Sequence, residues 1–383
     1  MKKIAIIGGG ISGLYIGNLL RKNSNYEIAI YEKNNSVNLE KGYGIQLSVN
    51  SIKLLNKIGF QNINLEDKFH PNKVDLYSLK NKKKICAIDI SAFNDNETKY
   101  TTLQRFTLIN FLKNQLPDHL MNFNKKVTKI DYEGKNILVT FENHISIKCD
   151  YLIISDGIFS KTKSIIAEKE IKPKYFKSIV LRATIDRESL QGFDPSNISL
   201  SLGSNLHTVS YPTNNKSQFN FISILRKKLS SSELSDYSLF EKSDFISSIL
   251  SQILKQVDRD IIKNLKNIKC FPVFVSSEIH QPKNKNTFLI GDAFFAFPPT
   301  FAQGASQSIE VAYELYKKLE NQRDLFTHER IKRTKMINRK SKFNYFAFHI
   351  SNPLLIWVRN TLMRYLVKNN KFISSYLGKI YKN

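Results

Sequence analysis

Tryptophan, cysteine and negative charge are scarce in this chain. Its 383 residues include one tryptophan, Trp357, and three cysteines, Cys86, Cys149 and Cys270. The cysteines are far apart and form neither a CxxC pair nor a metal-ligand spacing, so they read as reduced, buried thiols of a cytoplasmic protein. Seven histidines show no HExxH or clustered spacing, and no metal is expected. No apolar run approaches the roughly 20 residues that a membrane-spanning helix needs. The opening MKKIAIIGGG has too short an apolar stretch for a secretory signal and runs straight into glycines. Nothing repeats at solenoid length. These absences leave a soluble, or at most peripheral, globular protein.

Lys and Arg number 58 against 33 Asp and Glu, a formal net charge of +25. Such an excess suits an anionic partner: nucleic acid, a membrane surface or acidic substrates. Here Lys, Asn and Ile are abundant everywhere, so the excess is mostly compositional, and no nucleic-acid partner is expected. The tail differs. No acid follows Glu329, while Lys and Arg recur to the end beside an apolar segment at 353–358 (PLLIWV) and Leu362, Met363, Tyr365, Leu366 and Val367. A basic amphipathic segment of this kind predicts peripheral membrane contact. The alternative is that its apolar face packs on the body of the protein.

The length predicts about two domains. The apolar run at 3–7 (KIAII) predicts a strand buried on both faces. Helical spacing follows at 11–23, then a second strand at 27–31 (EIAIY), together one βαβ unit. Residues 42–47 (GYGIQL) predict a loop or strand, and 49–60 a helix with Gly59 as its C-cap. Strands around a Lys-rich turn are expected at 74–90, a helix at 103–116, a hairpin at 126–132 and 137–141, and a buried strand at 151–155. Short β-like runs dominate from about 171 to 275, with a helical stretch near 239–266. The buried-strand pattern returns at 287–290 (TFLI). A helix from about 304 to 319 and a helical, basic remainder complete the chain.

Gly8, Gly10 and Gly13 form GxGxxG between the first strand and the first helix. There the first glycine permits a tight turn, the second leaves an open path for a pyrophosphate, and the third allows close helix–strand packing. The pyrophosphate would rest on the N–H groups and positive end of the helix, beside Ser12. Glu32 ends the second strand, with Lys33 after it, where a carboxylate can accept hydrogen bonds from an adenosine ribose. The fingerprint alone does not separate FAD from NAD.

Further motifs stand in order along the chain: GYGIQL with Gly44 and Ile45, Asn50 and Leu54-Leu55; Arg105 in LQRFTLINFL; Val127; Asp156, Gly157 and Ser160 in YLIISDGIFSKTKS; and Gly291, Asp292, Pro299, Ala302, Gln303 and Gly304 in GDAFFAFPPTFAQGASQSIEVA. On these motifs the chain resembles the class A flavoprotein monooxygenases, within them most closely the salicylate-hydroxylase subgroup and more distantly the ubiquinone-biosynthesis hydroxylases, over nearly its whole length. The resemblance implies that Arg105 contacts FAD, that the Val127 backbone lies near the adenine, and that substrate meets Arg182, Tyr211, Pro212 and Phe295. Asp292 can accept hydrogen bonds from the ribityl hydroxyls. Gly304 and Ala305 would open a helix whose N–H groups face the flavin N1–O2 edge and favour the anionic reduced form. Three positions depart from the pattern. Phe295 stands where the family usually has histidine, Lys163 where it has arginine, and Glu310-Val311 where it has an acidic pair.

The fold implied is α/β: a three-layer, Rossmann-like FAD-binding domain (1–70, 101–170 and 271–320) interrupted by a mainly antiparallel β-sheet substrate domain (71–100 and 171–270), with a C-terminal helical region (321–383). The activity implied is an FAD-dependent monooxygenase of the cytoplasm. NADH or NADPH reduces the flavin, O2 forms a C4a-hydroperoxide on it, and one oxygen atom enters an aromatic or similar electron-rich small molecule. No side chain is singled out as catalytic acid or base. Monomer and dimer both remain open. A halogenase of this fold carries a two-tryptophan motif, which a chain with Trp357 alone cannot hold. The competing readings are a flavin-dependent reductase and a non-catalytic, basic flavin-binding protein.

Overall fold

Strands without a polar face need cover on both sides, and the two Ile-rich segments at the N-terminus find it in the middle of a parallel sheet. β1 (Lys2–Ile7), α1 (Ile11–Leu20) and β2 (Tyr26–Tyr31) form the expected βαβ unit, with Ile4 opposite Ile28. The computed structural model describes residues 1–37, 43–190, 192–214, 218–321 and 326–381, so Gly42 of the GYGIQL motif lies outside the described residues. Next come β3 (Gly44–Leu47), α2 (Val49–Asn56) and β4 (Lys68–Phe69). Gly59, left-handed at φ 91°, turns the chain just past α2.

β5 (Lys73–Ser78) and β6 (Lys84–Asp89) form a hairpin. β7 (Thr101–Gln104) pairs with β3 and β4 and runs straight into α3 (Arg105–Asn114). The helix expected from residue 103 therefore starts two residues later, because the β3 pairing holds 101–104 extended. β8 (Met121–Asn122) precedes the expected hairpin, β9 (Val127–Glu133) and β10 (Asn136–Phe141), which a third strand, β11 (Ser146–Cys149), extends. β12 (Tyr151–Ile154) and α4 (Lys161–Ile166) follow.

The middle of the chain is the strand-rich stretch: β13 (Lys174–Asp186), β14 (Ile198–Leu202), β15 (Leu206–Pro212) and β16 (Gln218–Arg226). Three helices, α5 (Ser231–Ser235), α6 (Ser243–Leu254) and α7 (Arg259–Lys263), precede β17 (Lys266–Val275). The single helical stretch expected at 239–266 is broken, since Asp258 caps a new helix through the Asp260 N–H. β17 pairs with β13 from Lys266 to Val275, so the sheet continues past the boundary expected at residue 270. β18 (Thr287–Leu289), α8 (Gly291–Phe294) and α9 (Gly304–Leu319) return to the first sheet. α10 (Phe326–Phe348), α11 (Pro353–Leu366), α12 (Asn370–Ile373) and α13 (Lys379–Tyr381) complete the chain.

The parallel sheet has the order β18-β12-β1-β2-β8. A second sheet, β17-β13-β16-β15-β14-β5-β6, is antiparallel except where β5 lies parallel to β14. Two three-stranded sheets, β11-β10-β9 and β3-β7-β4, flank them. This is the expected α/β architecture with antiparallel sheets and C-terminal helices. Cys149 and Cys270 are buried, Cys86 is half-buried, and all three are free thiols.

A buried charge cluster fastens the C-terminal helices. The Glu310 carboxylate on α9 accepts from Asn50 Nδ2 (3.1 Å), Gln307 Nε2 (2.8 Å) and Arg333 Nη2 (3.0 Å). Arg330, equally buried, stands 3.5 Å from it and donates to Gln307. Arg333 also donates to the carbonyls of Lys379 and Ile380. One carboxylate thus joins α2, α9, α10 and α13. A buried carboxylate is tolerated only when its partners replace the water it has lost. A second buried contact joins α10 to the large sheet: His207 Nδ1 and His349 Nε2 lie 2.8 Å apart. Burial pushes His349 down to about 4 and His207 well below the ordinary histidine range, so both rings stay neutral.

Glu310→Ala takes the counter-ion from Arg333 and leaves Arg330 with Glu314 alone, and should cost about 3–5 kcal/mol, read by urea denaturation. The histidine pair sets a pH dependence. The unfolded chain binds protons near pH 6.5 that the folded His349 refuses until about pH 4 and that His207, also held well down by burial, refuses with it. Stability contributed by the neutral pair is therefore complete above about pH 6.5 and is lost as pH falls toward 4. The thermal midpoint should drop across that window, and His349→Gln should reduce the drop. An equal drop in that variant would remove the pair as its cause.

Candidate active site

The turn from β1 into α1 is a backbone-to-backbone contact. Gly8 has φ 105°, and a Cβ on Gly13 would lie 2.1 Å from the Gly8 carbonyl oxygen. Ser155, just after β12, donates its hydroxyl to the carbonyls of Ile7 (2.8 Å) and Gly8 (3.0 Å). Gly10 differs from its neighbours: a Cβ there would meet only the Ser155 carbonyl, at 4.0 Å, so open space lies before the α1 N-terminus. The N–H groups of that first turn have no intrahelical partner. Glu32, at the end of β2, accepts from the Gly9 N–H (2.8 Å) and the Asn34 N–H (3.1 Å), and its two oxygens retain further lone pairs. Lys33 beside it is exposed.

The Gly-Asp segment is fitted against the same helix. Gly291 has φ 60°, and a side chain there would collide with Ser12 Oγ at 2.4 Å. Asp292 follows in the first turn of α8 and lines a cavity of about 800 Å³. Its exposed area opens into that cavity. Burial accordingly pushes its carboxyl up to about 6, while the charges of Arg105 and Lys163 pull the other way. Lys163, buried, donates to the Ala293 carbonyl (3.1 Å), and burial lowers its ammonium against the pull of Asp156 and Asp292. Asp156 accepts from the Thr162 N–H at 3.4 Å and is raised by burial. Its Oδ1 is buried without a hydrogen-bond partner, and so is Gln303 Nε2 at the start of α9.

Pro299, Gly304 and Ala305 line the cavity at this end, and Gly44 and Ile45 line it from β3. Gly44 donates its N–H to Asn220 Oδ1 (2.8 Å), which seats β3 on the large sheet. Arg105 opens α3 and donates its N–H to the Tyr43 carbonyl (2.7 Å). Gly157, at φ 83°, follows Asp156 in the turn before α4. Val127 is buried at the start of β9 among residues of the parallel sheet. Of the expected substrate residues, Arg182 and Tyr211 line the cavity, with Arg182 set 5.5 Å above the Tyr43 ring. Pro212 and Phe295 do not. The Pro212 carbonyl accepts from Thr102 Oγ1 (2.5 Å), and Phe295 is buried against Phe297. Tyr100, which donates its hydroxyl to Gln46 of the GYGIQL motif (2.8 Å) at the cavity wall, carried no motif of its own. Among the described residues, no group of three or more His, Cys, Asp or Glu is placed to hold a metal.

A family model described as "FAD binding domain" matches residues 1–323. The chain belongs to that FAD-binding family. A salicylate hydroxylase of Pseudomonas putida is 22% identical over 343 residues, covering 83% of this chain and 77% of that protein. A 3-amino-4-hydroxybenzoate 2-monooxygenase of Streptomyces platensis is 22% identical over 360 residues, covering 91% and 89%. Among solved structures, Klebsiella pneumoniae HpxO complexed with FAD and uric acid superposes with a TM-score of 0.84 at 17% identity, over 99% of this chain and 96% of that one. A salicylate hydroxylase substrate complex gives 0.80 at 15% identity, over 100% and 95%. The class A flavin hydroxylase resemblance read from the motifs holds, and the fold is that of this family.

The residues present fit an FAD. The open space at Gly10, the unpaired N–H groups of α1, the partnerless Gln303 Nε2 and Asp156 Oδ1, and Asp292 facing the cavity are what a phosphate-bearing, hydroxyl-rich ligand would satisfy. Gly10→Val would put a branched side chain into that open space and should strip flavin from the purified protein; unchanged FAD content would refute the placement. Asp292→Ala should weaken FAD retention more than Asp156→Ala. A hydrogen bond to a charged acceptor is worth about 1.5–3 kcal/mol, and flavin fluorescence in the two variants ranks them.

Proposed function

We propose that this protein is a monooxygenase that uses NADH or NADPH and O2 to hydroxylate an aromatic or similar electron-rich small molecule. The observation that carries the reading is the cavity, which is bounded at one end by Asp292 and the N-terminus of α9 and along its side by the large sheet. When bound, FAD supplies the electron transfer and the activation of oxygen. The chain's own part is positioning. Asp292 would hold the ribityl chain, Arg105 and Lys163 would offset its charge, and the first N–H groups of α9 would favour negative charge on the ring beside them. Arg182, held over Tyr43, is the cation that would orient an electron-rich or anionic ring. The apolar walls exclude water, which keeps reactive oxygen species from being discharged before they meet substrate. We place the enzyme in the cytoplasm, and leave the choice between monomer and dimer to measurement.

The flavin-loaded protein, given NADH or NADPH and a panel of phenolic acids under air, should show substrate-stimulated donor oxidation and a product heavier by one oxygen atom. A product gaining two hydrogens instead would make it a reductase. No substrate that stimulates turnover would favour a flavin-binding protein without catalysis. Arg182→Ala should raise the KM for an anionic substrate by roughly tenfold or more, the order of a single lost charge contact, with less effect on kcat.

A further inference from the structure

Helix α11 is apolar on two faces. Leu355, Val358, Leu362, Met363 and Leu366 recur at three- and four-residue spacing and line the cavity. Leu354, Trp357 and Tyr365 form a second stripe off the cavity wall, 67%, 66% and 72% exposed. The second apolar face has no place against the core, since Arg359 is the one buried residue of α11. Near the end of α10, Phe343 and Phe346 are exposed too. Both phenylalanines, with Leu355 and Leu362, are at once exposed and cavity-lining. The cavity mouth therefore opens within the apolar patch. A contiguous apolar patch of this kind marks a contact surface.

The charge of the segment that bears the patch has one sign. No acid follows Glu329 in the sequence, and Lys335, Arg339, Lys342, Lys368 and Lys371 are exposed on the same helices and the turn after them. Two copies meeting through this face would bring those cations together with no carboxylate from the segment between them. An anionic lipid surface satisfies both features, since it takes up apolar side chains and attracts base. With 14 residues α11 is too short to span a bilayer, and no helix among the described residues is long and apolar enough to do so. It would lie in the interface, where Trp and Tyr are at home.

We propose that α11 and the C-terminal end of α10 seat on an anionic lipid bilayer with the cavity mouth turned toward the acyl chains, so that the substrate is an apolar compound dissolved in the membrane. The substrate clause rests on the reading of the cavity as the hydroxylation site; the docking does not. Trp357, the one tryptophan of the chain, reports it. The flavin-loaded full chain is mixed with vesicles of phosphatidylcholine, alone or with an equal share of phosphatidylglycerol. With the anionic vesicles, Trp357 emission should shift to the blue and be quenched by brominated acyl chains, and the protein should co-sediment. Partition should fall roughly tenfold or more as salt rises from about 0.05 M to about 0.5 M. The triple variant L354S/W357S/Y365S should lose co-sedimentation by roughly a hundredfold, with flavin content and circular dichroism unchanged. The pair Lys368→Glu and Lys371→Glu, which touches no apolar contact, should also weaken binding to anionic vesicles. Three results would overturn the proposal: equal partition to neutral and anionic vesicles, no partition to either, or a blue shift that follows protein concentration without lipid and accompanies a dimer mass. Failure to find hydroxylation would leave these vesicle measurements standing, so the two readings fail separately.

Discussion

The contact between α1 and the turn after β1 sets the rest in place. The helix lies so near that turn that no side chain fits between Gly13 and the Gly8 carbonyl, and Ser155 bonds the same turn from β12. The same helix presents Ser12 to Gly291, so the loop bearing Asp292 is set by the helix that faces the open space at Gly10. Two helix N-termini, on α1 and α9, are thereby held at fixed separation by packing rather than by any flexible loop. A long cofactor needs that kind of rigid spacing, because each ångström of slack at one end misplaces the reacting atoms at the other.

Charge follows the same geometry. Asp292 lines the cavity; burial acts against the charged forms of Asp292, Asp156 and Lys163, while Arg105 and Lys163 favour charge on Asp292 and the two carboxylates favour it on Lys163. Lys163 keeps its charge near both carboxylates by bonding the Ala293 carbonyl. An arginine there would carry a wider fork of donors. One buried oxygen of Asp156 has no hydrogen-bond partner.

Much of this was legible in the residues. Glycine spacing announced the α1 turn, and buried-strand runs announced β1, β2, β12 and β18, because both signals are local. Boundaries set by distant partners were not legible. Residues 103–104 fall within the helical spacing but are claimed by β3, and the end of β17 is decided by β13. The Glu310 cluster and the His207–His349 pair join residues 23 to 260 positions apart and carry no local pattern. The substrate wall was half legible. Arg182 and Tyr211 stand on it, while alternation along the strand and packing against Phe297 turn Pro212 and Phe295 elsewhere.

The parallel sheet has a consequence in time. β1 is flanked by β2, made at once, and by β12, with β18 beyond it. Between Ile7 and Thr287 lies most of the chain, so at a synthesis rate of about 5–20 residues per second the edge strand emerges roughly a quarter of a minute to a minute after the first. Until β12 is made the Ile-rich edge of β1 has its hydrogen-bonding groups unmet, and from then until β18 arrives the outer edge of β12 does. An unpaired, flat, apolar strand is an invitation to aggregate. The nascent protein must either be shielded on the ribosome or wait as a loosely collapsed N-terminal half, and the yield of folded enzyme depends on how long that wait lasts.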